Sequence, residues 1–279
     1  MKTGHSSSTD GHLHPQREEL TMIKNTPALT NHSLVTLERQ NSDPAQRAFT
    51  LVELLATVVT IACLFLALLP ALAKSSNSVT RTVCINNLRQ LGGALLTYTA
   101  DNRDYLPYPN WGMANAGWLF TPNNGVVPTP SASGYASGQL FRYIRDSRSY
   151  ACPADMESKY YQSRQNKLSS YVMNGAVCGY GSAMSASCKI TQVWSSECYL
   201  LWNPDESAGS PPIGPFTFND ASSYPDGSEG MGRLHSAQSS EILTVGGQVR
   251  IVPVQKTQQE QSSTKRSLAW WSPFSTNGR

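Results

Sequence analysis

Histidine is nearly absent from most of this chain: four of its five residues, His5, His12, His14 and His32, fall within the first 48 positions, leaving His235 alone in the remainder. That distribution speaks against a His-rich metal site. The six cysteines include no C-x-x-C pair, which removes the redox dithiol motif and the zinc ribbon. No G-x-S-x-G, Walker loop, dinucleotide glycine fingerprint or H-E-x-x-H occurs, so the common enzyme signatures are missing. No catalytic residue is therefore nominated, the chain is not expected to be an enzyme, and neither metal nor cofactor is expected. Charge is scarce too, and a net charge of +3 is too small to argue for a nucleic-acid partner.

What the sequence does contain is one long apolar run. From Phe49 to Ala73 the only charge is Glu53. As a helix rising about 1.5 Å per residue, the run measures roughly 37 Å, against about 30 Å for the hydrocarbon of a bilayer. Residues 49–73 are thus expected to form a transmembrane helix, with the lipid bilayer as partner. Pro70 should kink it by removing one backbone hydrogen bond. A signal peptide or plain anchor would need no Glu53, because an uncompensated carboxylate in lipid costs a few kcal/mol. Residues 1–48 are polar, balanced in charge and without periodicity, and read as a disordered leader. Residues 74–279 are left for a head domain. Flanking charges, Arg39 and Arg47 before the run and Lys74, Arg81 and Arg89 after it, set no orientation.

The segment Arg47-Ala48-Phe49-Thr50-Leu51-Val52-Glu53 resembles the processing site of type IV prepilins and type II secretion pseudopilins. In that family a membrane prepilin peptidase cuts after the small residue and methylates the new amino terminus. The resemblance implies a cut between Ala48 and Phe49, with Ala48 standing where the family usually has Gly. It also implies an assembly role for Glu53, neutralising the ammonium of a neighbouring subunit. A second resemblance lies downstream, to bacterial pilin-like proteins carrying a C-terminal H-x9-DG signature. Its fragments here are Cys84-Ile-Asn-Asn87-Leu88-Arg-Gln-Leu-Gly92, Gly138-Gln-Leu-Phe-Arg-Tyr143, Cys152-Pro153-Ala-Asp155 and Ser170-Tyr171-Val-Met-Asn174. His235 is followed after nine residues by Val245-Gly246, with Val in place of Asp.

Ile85, Leu88, Leu91 or Gly92, Leu95 and Tyr98 or Thr99 recur at three- and four-residue steps, which extends the first helix beyond the apolar run and gives it a face to pack on a sheet. Asn102, Asp104, Pro107 and Pro109 end it. Glu241–Val245 and Gln248–Pro253 are β-branched runs joined by Gly246-Gly247, a two-residue hairpin signal. His235, on the approach to that hairpin, is read as bonding or capping a turn. Residues 111–138 and 203–232 read as long surface loops. Asp220, Asp226 and Glu229 could gather around calcium, but their spacing fits no defined loop, so they read as solvated charges. Trp111, Trp118, Trp202, Trp270 and Trp271 are either sugar-stacking platforms or, more commonly, core anchors.

Cys63 falls in the apolar run, and Cys84, Cys152, Cys178, Cys188 and Cys198 fall in the head, where an oxidising compartment would allow at least one disulfide of undetermined connectivity. The expected fold is α+β and pilin-like: a long N-terminal helix, its first half membrane-spanning, packed on an antiparallel sheet. The expected protein is a filament or pseudopilus subunit of a bacterial inner membrane, single-pass, with the head in the periplasm or an extracellular filament. Its partners would be prepilin peptidase and other pilin-like subunits. The alternative is a monomeric membrane-anchored binding module, holding polysaccharide on its aromatic loops.

Overall fold

The computed structural model describes residues 49–181, 186–207 and 220–279, with backbone alone for 68–77. The leader and Ala48 lie outside the described residues. The chain divides into two units, with the boundary between Glu53 and Leu54.

The first helix, α1, runs Leu51–Asp101. It opens on a capping box: Thr50 Oγ1 accepts from the Glu53 amide at 3.3 Å, and Glu53 Oε2 accepts from the Thr50 amide at 3.0 Å. It is assigned without interruption through Pro70, whose side chain lies outside the described residues. The helix stops where Arg103 and Asp104 take positive φ, while Asn102 Nδ2 donates to the Tyr98 carbonyl at 2.7 Å. Among the described residues four short α-helices follow: α2 Ala132–Ala136, α3 Phe141–Ile144, α4 Pro153–Met156 and, near the C-terminus, α5 Val254–Ser262. The strands are β1 Val172–Asn174, β2 Tyr199–Trp202, β3 Ser222–Ser223, β4 Ser239–Thr244 and β5 Val249–Pro253.

Two parts of the expected fold are corrected. The sheet is mixed, in the order β3-β1-β2-β4-β5, because β3 pairs parallel to β1 while the other pairs are antiparallel. The two-residue β3 lies at the edge beyond β1 and comes after the long connection from β2, so no hairpin turn dictates its direction. The membrane-spanning first half is also overturned: among the described residues no helix is long and apolar enough to cross a membrane. The fully described part of the apolar run, residues 51–67, extends roughly 25 Å at about 1.5 Å per residue, short of a bilayer core.

Strand alternation sends side chains to two separate cores. Met173, Leu201 and Leu243 join Leu88, Leu91 and Leu95 of α1 on one face. Val172, Trp202 and Ile242 join Ala269 and Trp270 of the C-terminal segment on the other. A bulge between Tyr199 and Leu201 lets both Leu200 and Leu201 enter the α1 core. The β4–β5 hairpin forms where the sequence places it, but its loop has three residues. The Gly247 amide donates to the Thr244 carbonyl at 2.9 Å and the Thr244 amide to Gln248 at 2.8 Å, with Gly247 at φ 78. That tip is pressed against α1. A Cβ on Gly92 would meet Gly247 O at 3.0 Å, and one on Gly247 would meet Leu96 Cδ1 at 2.7 Å. Glycine at both positions is what allows helix and hairpin to touch.

Candidate functional site

The fold gathers residues that the sequence keeps far apart. Cys84 sits on the buried stripe of α1, Cys152 is the N-cap of α4, and His235 lies on the approach to β4. Their Sγ and ring nitrogen atoms all lie within 4.8 Å of one another. His235 Nε2 is 3.2 Å from Cys152 Sγ. His235, expected to bond or cap a turn, thus places Nε2 against the N-cap residue of α4. Both sulfurs are buried, and His235 is half-buried at the rim.

The neighbouring fragments hold this cluster in place. Asn87, one turn along α1 from Cys84, donates to the Ala151 carbonyl at 2.8 Å and to Arg148 at 3.3 Å, tying the helix to the residue before Cys152. Ser170 Oγ accepts from the Cys152 amide at 2.9 Å. Tyr171 Oη donates to Cys84 Sγ at 3.2 Å, and Cys84 Sγ lies 3.5 Å from Asn203 Oδ1. Asn203 is fixed in turn by its Nδ2, which donates to the Ser170 carbonyl at 2.7 Å. Leu88 packs in the core beside them, and Pro153 opens α4 at its first position, where a missing amide is harmless. Thus Cys84, Asn87, Leu88, Cys152, Pro153 and His235, scattered over 152 positions, belong to one neighbourhood. Gly246 does not: it lies in the hairpin loop, with its Cα facing Ser196.

The two thiols are not equivalent. The adjacent Cys84 thiol lowers the Cys152 pKa, and His235 lowers it further. The pairing with Cys152, together with burial, raises that of Cys84. Below the cluster, the Asp155 carboxylate at the end of the Cys-Pro-Ala-Asp turn receives both Nη atoms of Arg164, which also grips Glu206. All three groups are buried, so the guanidinium and its two acids form an ion triad locked in the interior. The sequence offered no local pattern for it.

The other nominated residues stand apart from this site. All six cysteines are free thiols; burial pushes Cys178 up to about 11 and Cys188 and Cys198 up to about 12. Asp220, read as a solvated loop charge, is instead buried and accepts from Ser222 and from the distant Gly112, while Asp226 accepts from Ser228 and Glu229 from Tyr224. Trp118, Trp202, Trp270 and Trp271 are fully buried, and Trp111 packs edge-on against Tyr180. Trp271 Nε1 donates to the Tyr199 carbonyl at 2.8 Å, stitching the C-terminal segment to the sheet. At the other end of the chain Phe49 is exposed and Glu53 accepts from Thr50. The Thr50-x-x-Glu53 spacing could have announced that cap from sequence alone.

No family model matches this chain, and neither the curated proteins nor the solved structures include a match.

Proposed function

We propose that the chain is a pilin-like structural subunit, cut between Ala48 and Phe49 and methylated by prepilin peptidase, which assembles with other pilin-like subunits through the start of α1. Its head faces an extracytoplasmic compartment at the bacterial inner membrane, and it carries out no catalysis. The observation that supports this reading is the exposed apolar surface of the helix that follows the processing motif: Leu54, Leu55, Val58, Val59, Ile61, Leu64 and Phe65 are all more than half exposed. Such a surface is what packing among copies would cover. Glu53 stands in its first turn. In an interface of that kind a carboxylate and a neighbour's amino terminus each lower the other's burial cost.

Glu53 also caps its own helix, so the test must separate charge from capping. Gln serves at the third position of a capping box as Glu does. Glu53→Gln therefore keeps the cap and removes the charge, while Thr50→Ala weakens the cap and keeps the charge. The expected result is that Glu53→Gln is processed yet absent from cross-linked oligomers, whereas Thr50→Ala assembles. Assembly of Glu53→Gln at the parent's level would remove this reading. Of the five tryptophans weighed as sugar-stacking platforms, Trp118, Trp202, Trp270 and Trp271 are fully buried, which takes most of the support from the polysaccharide-binding alternative.

A further inference from the structure

We infer that Cys84, Cys152 and His235 form a binding site for a single thiophilic d10 cation of the zinc class, built into the head independently of filament assembly. Three donors of the right type converge from three separate elements, and their spacing suits one ion. With metal–sulfur bonds of about 2.3 Å and metal–nitrogen bonds of about 2.0 Å, the edges of a tetrahedral site measure roughly 3.5–3.8 Å. The donor atoms lie within 4.8 Å of each other, with Cys152 Sγ to His235 Nε2 already at 3.2 Å. Side-chain rotations that move the donor atoms by up to about 1 Å close the site around an ion.

The surroundings match a structural metal centre better than a nucleophile. A Cys–His pair acting on a substrate needs an open face, and here both sulfurs are fully buried. A cleft of about 220 Å³ between Asp155, Glu206 and Arg233 is lined by neither sulfur nor by His235. Around Cys84 two oxygens are already placed: Tyr171 Oη, a hydrogen-bond donor toward a thiolate, and Asn203 Oδ1, an acceptor available as a fourth ligand. Two thiolates and one imidazole around a divalent cation give a neutral centre, which a buried site requires. Binding releases the two thiol protons to solvent, Cys84 and Cys152 becoming thiolates as the metal–sulfur bonds form. Half-buried His235 provides the entry side. The mixed sulfur, nitrogen and oxygen set favours zinc over copper(I).

The test uses the full chain, purified under reducing conditions and titrated with Co²⁺ alone and then Zn²⁺ alone. The expected result is a sulfur-to-cobalt charge-transfer band saturating at one equivalent, bleached by Zn²⁺, with Zn²⁺ raising the melting temperature. Cys152→Ser and Cys84→Ser should abolish the band, and Cys198→Ser should leave it intact. His235→Gln, a change at the half-buried rim that spares the core, should weaken Zn²⁺ binding at least about tenfold, a loss of the size even a second-shell ligand produces. Absence of the band in the reduced parent chain would overturn the inference. So would a band that survives Cys152→Ser, unchanged Zn²⁺ affinity in His235→Gln, or a Cys84–Cys152 disulfide in protein taken from cells.

Discussion

The start of α1 and the thiol neighbourhood of the head are built in opposite ways. At residues 49–67 the structure is local: a cap made by Thr50 and Glu53, three residues apart, opens a helix whose apolar side chains are exposed. In the head, Cys84, Cys152 and His235 reach one another across intervals of 68 and 83 residues, held by Asn87, Ser170, Tyr171 and Asn203. The first region is capped by neighbours in sequence and leaves its apolar surface exposed. The second is held by pairings between residues distant in sequence. Substitutions in the head should therefore change folding, and substitutions near Glu53 should change assembly.

The sharpest contrast should come from Arg164. Replacing it by Met leaves Asp155 and Glu206 buried without their cation, a change of about 3–5 kcal/mol in unfolding free energy by denaturant titration. A loss below about 1 kcal/mol would show that the triad is not the interior lock described above.

Two adjacent glycines of α1 provide the next test. A Cβ on Gly92 would meet Leu243 Cδ1 at 2.8 Å and the Gly247 carbonyl, whereas one on Gly93 meets nothing within 4 Å. Gly92→Ala should lower stability by about 1–3 kcal/mol through overpacking of helix against hairpin. Gly93→Ala should raise it by up to about 1 kcal/mol through helix propensity. Equal effects at the two sites would contradict the close helix–hairpin contact.

A smaller effect, visible with pH, is expected at Glu229. Burial raises its carboxyl from an ordinary 4.5 to about 7. The protonated form is thus the one the fold favours, so its contribution is complete below pH 4.5 and is lost as pH rises through about 7. Melting curves between pH 5 and 8 should show a loss on the order of 1–2 kcal/mol that Glu229→Gln removes. A pH profile identical in parent and variant would contradict this. The smallest effect on the head belongs to Thr50→Ala, which weakens a cap worth about 1 kcal/mol locally. The head's melting temperature should stay unchanged in that variant, and a clear drop would show that the two regions fold as one.

The same contrast decides what could be read from the sequence. The α1 stripe at Leu88, Leu91 and Leu95 and the hairpin around Gly246 and Gly247 rest on local periodicity and turn chemistry, and they are found in the structure. The three-residue loop differs from the two-residue reading because Gly247 alone takes positive φ. The parallel β3 carries no pattern, being two serines, and its pairing depends on a connection whose path no local rule dictates. The C-terminal segment offers no period at all, yet its Ala269 and Trp270 cover one face of the sheet while Trp271 joins the core on the α1 side. The Cys–Cys–His neighbourhood was hidden for the same reason: its three donors lie in three fragments, none with metal-ligand spacing. A signal was present, because each of those fragments contributes one donor. The membrane-spanning reading came from length and hydropathy, which report apolar character without saying what covers it.

The assembly account rests on one chemical event, cleavage after Ala48. Intact-mass and N-terminal peptide analysis of the protein from cells with an active prepilin peptidase tests it most directly. The account predicts a mature chain beginning at Phe49 and carrying one methyl group on its amino terminus. A chain that retains residues 1–48, or that begins at any other residue, would contradict it.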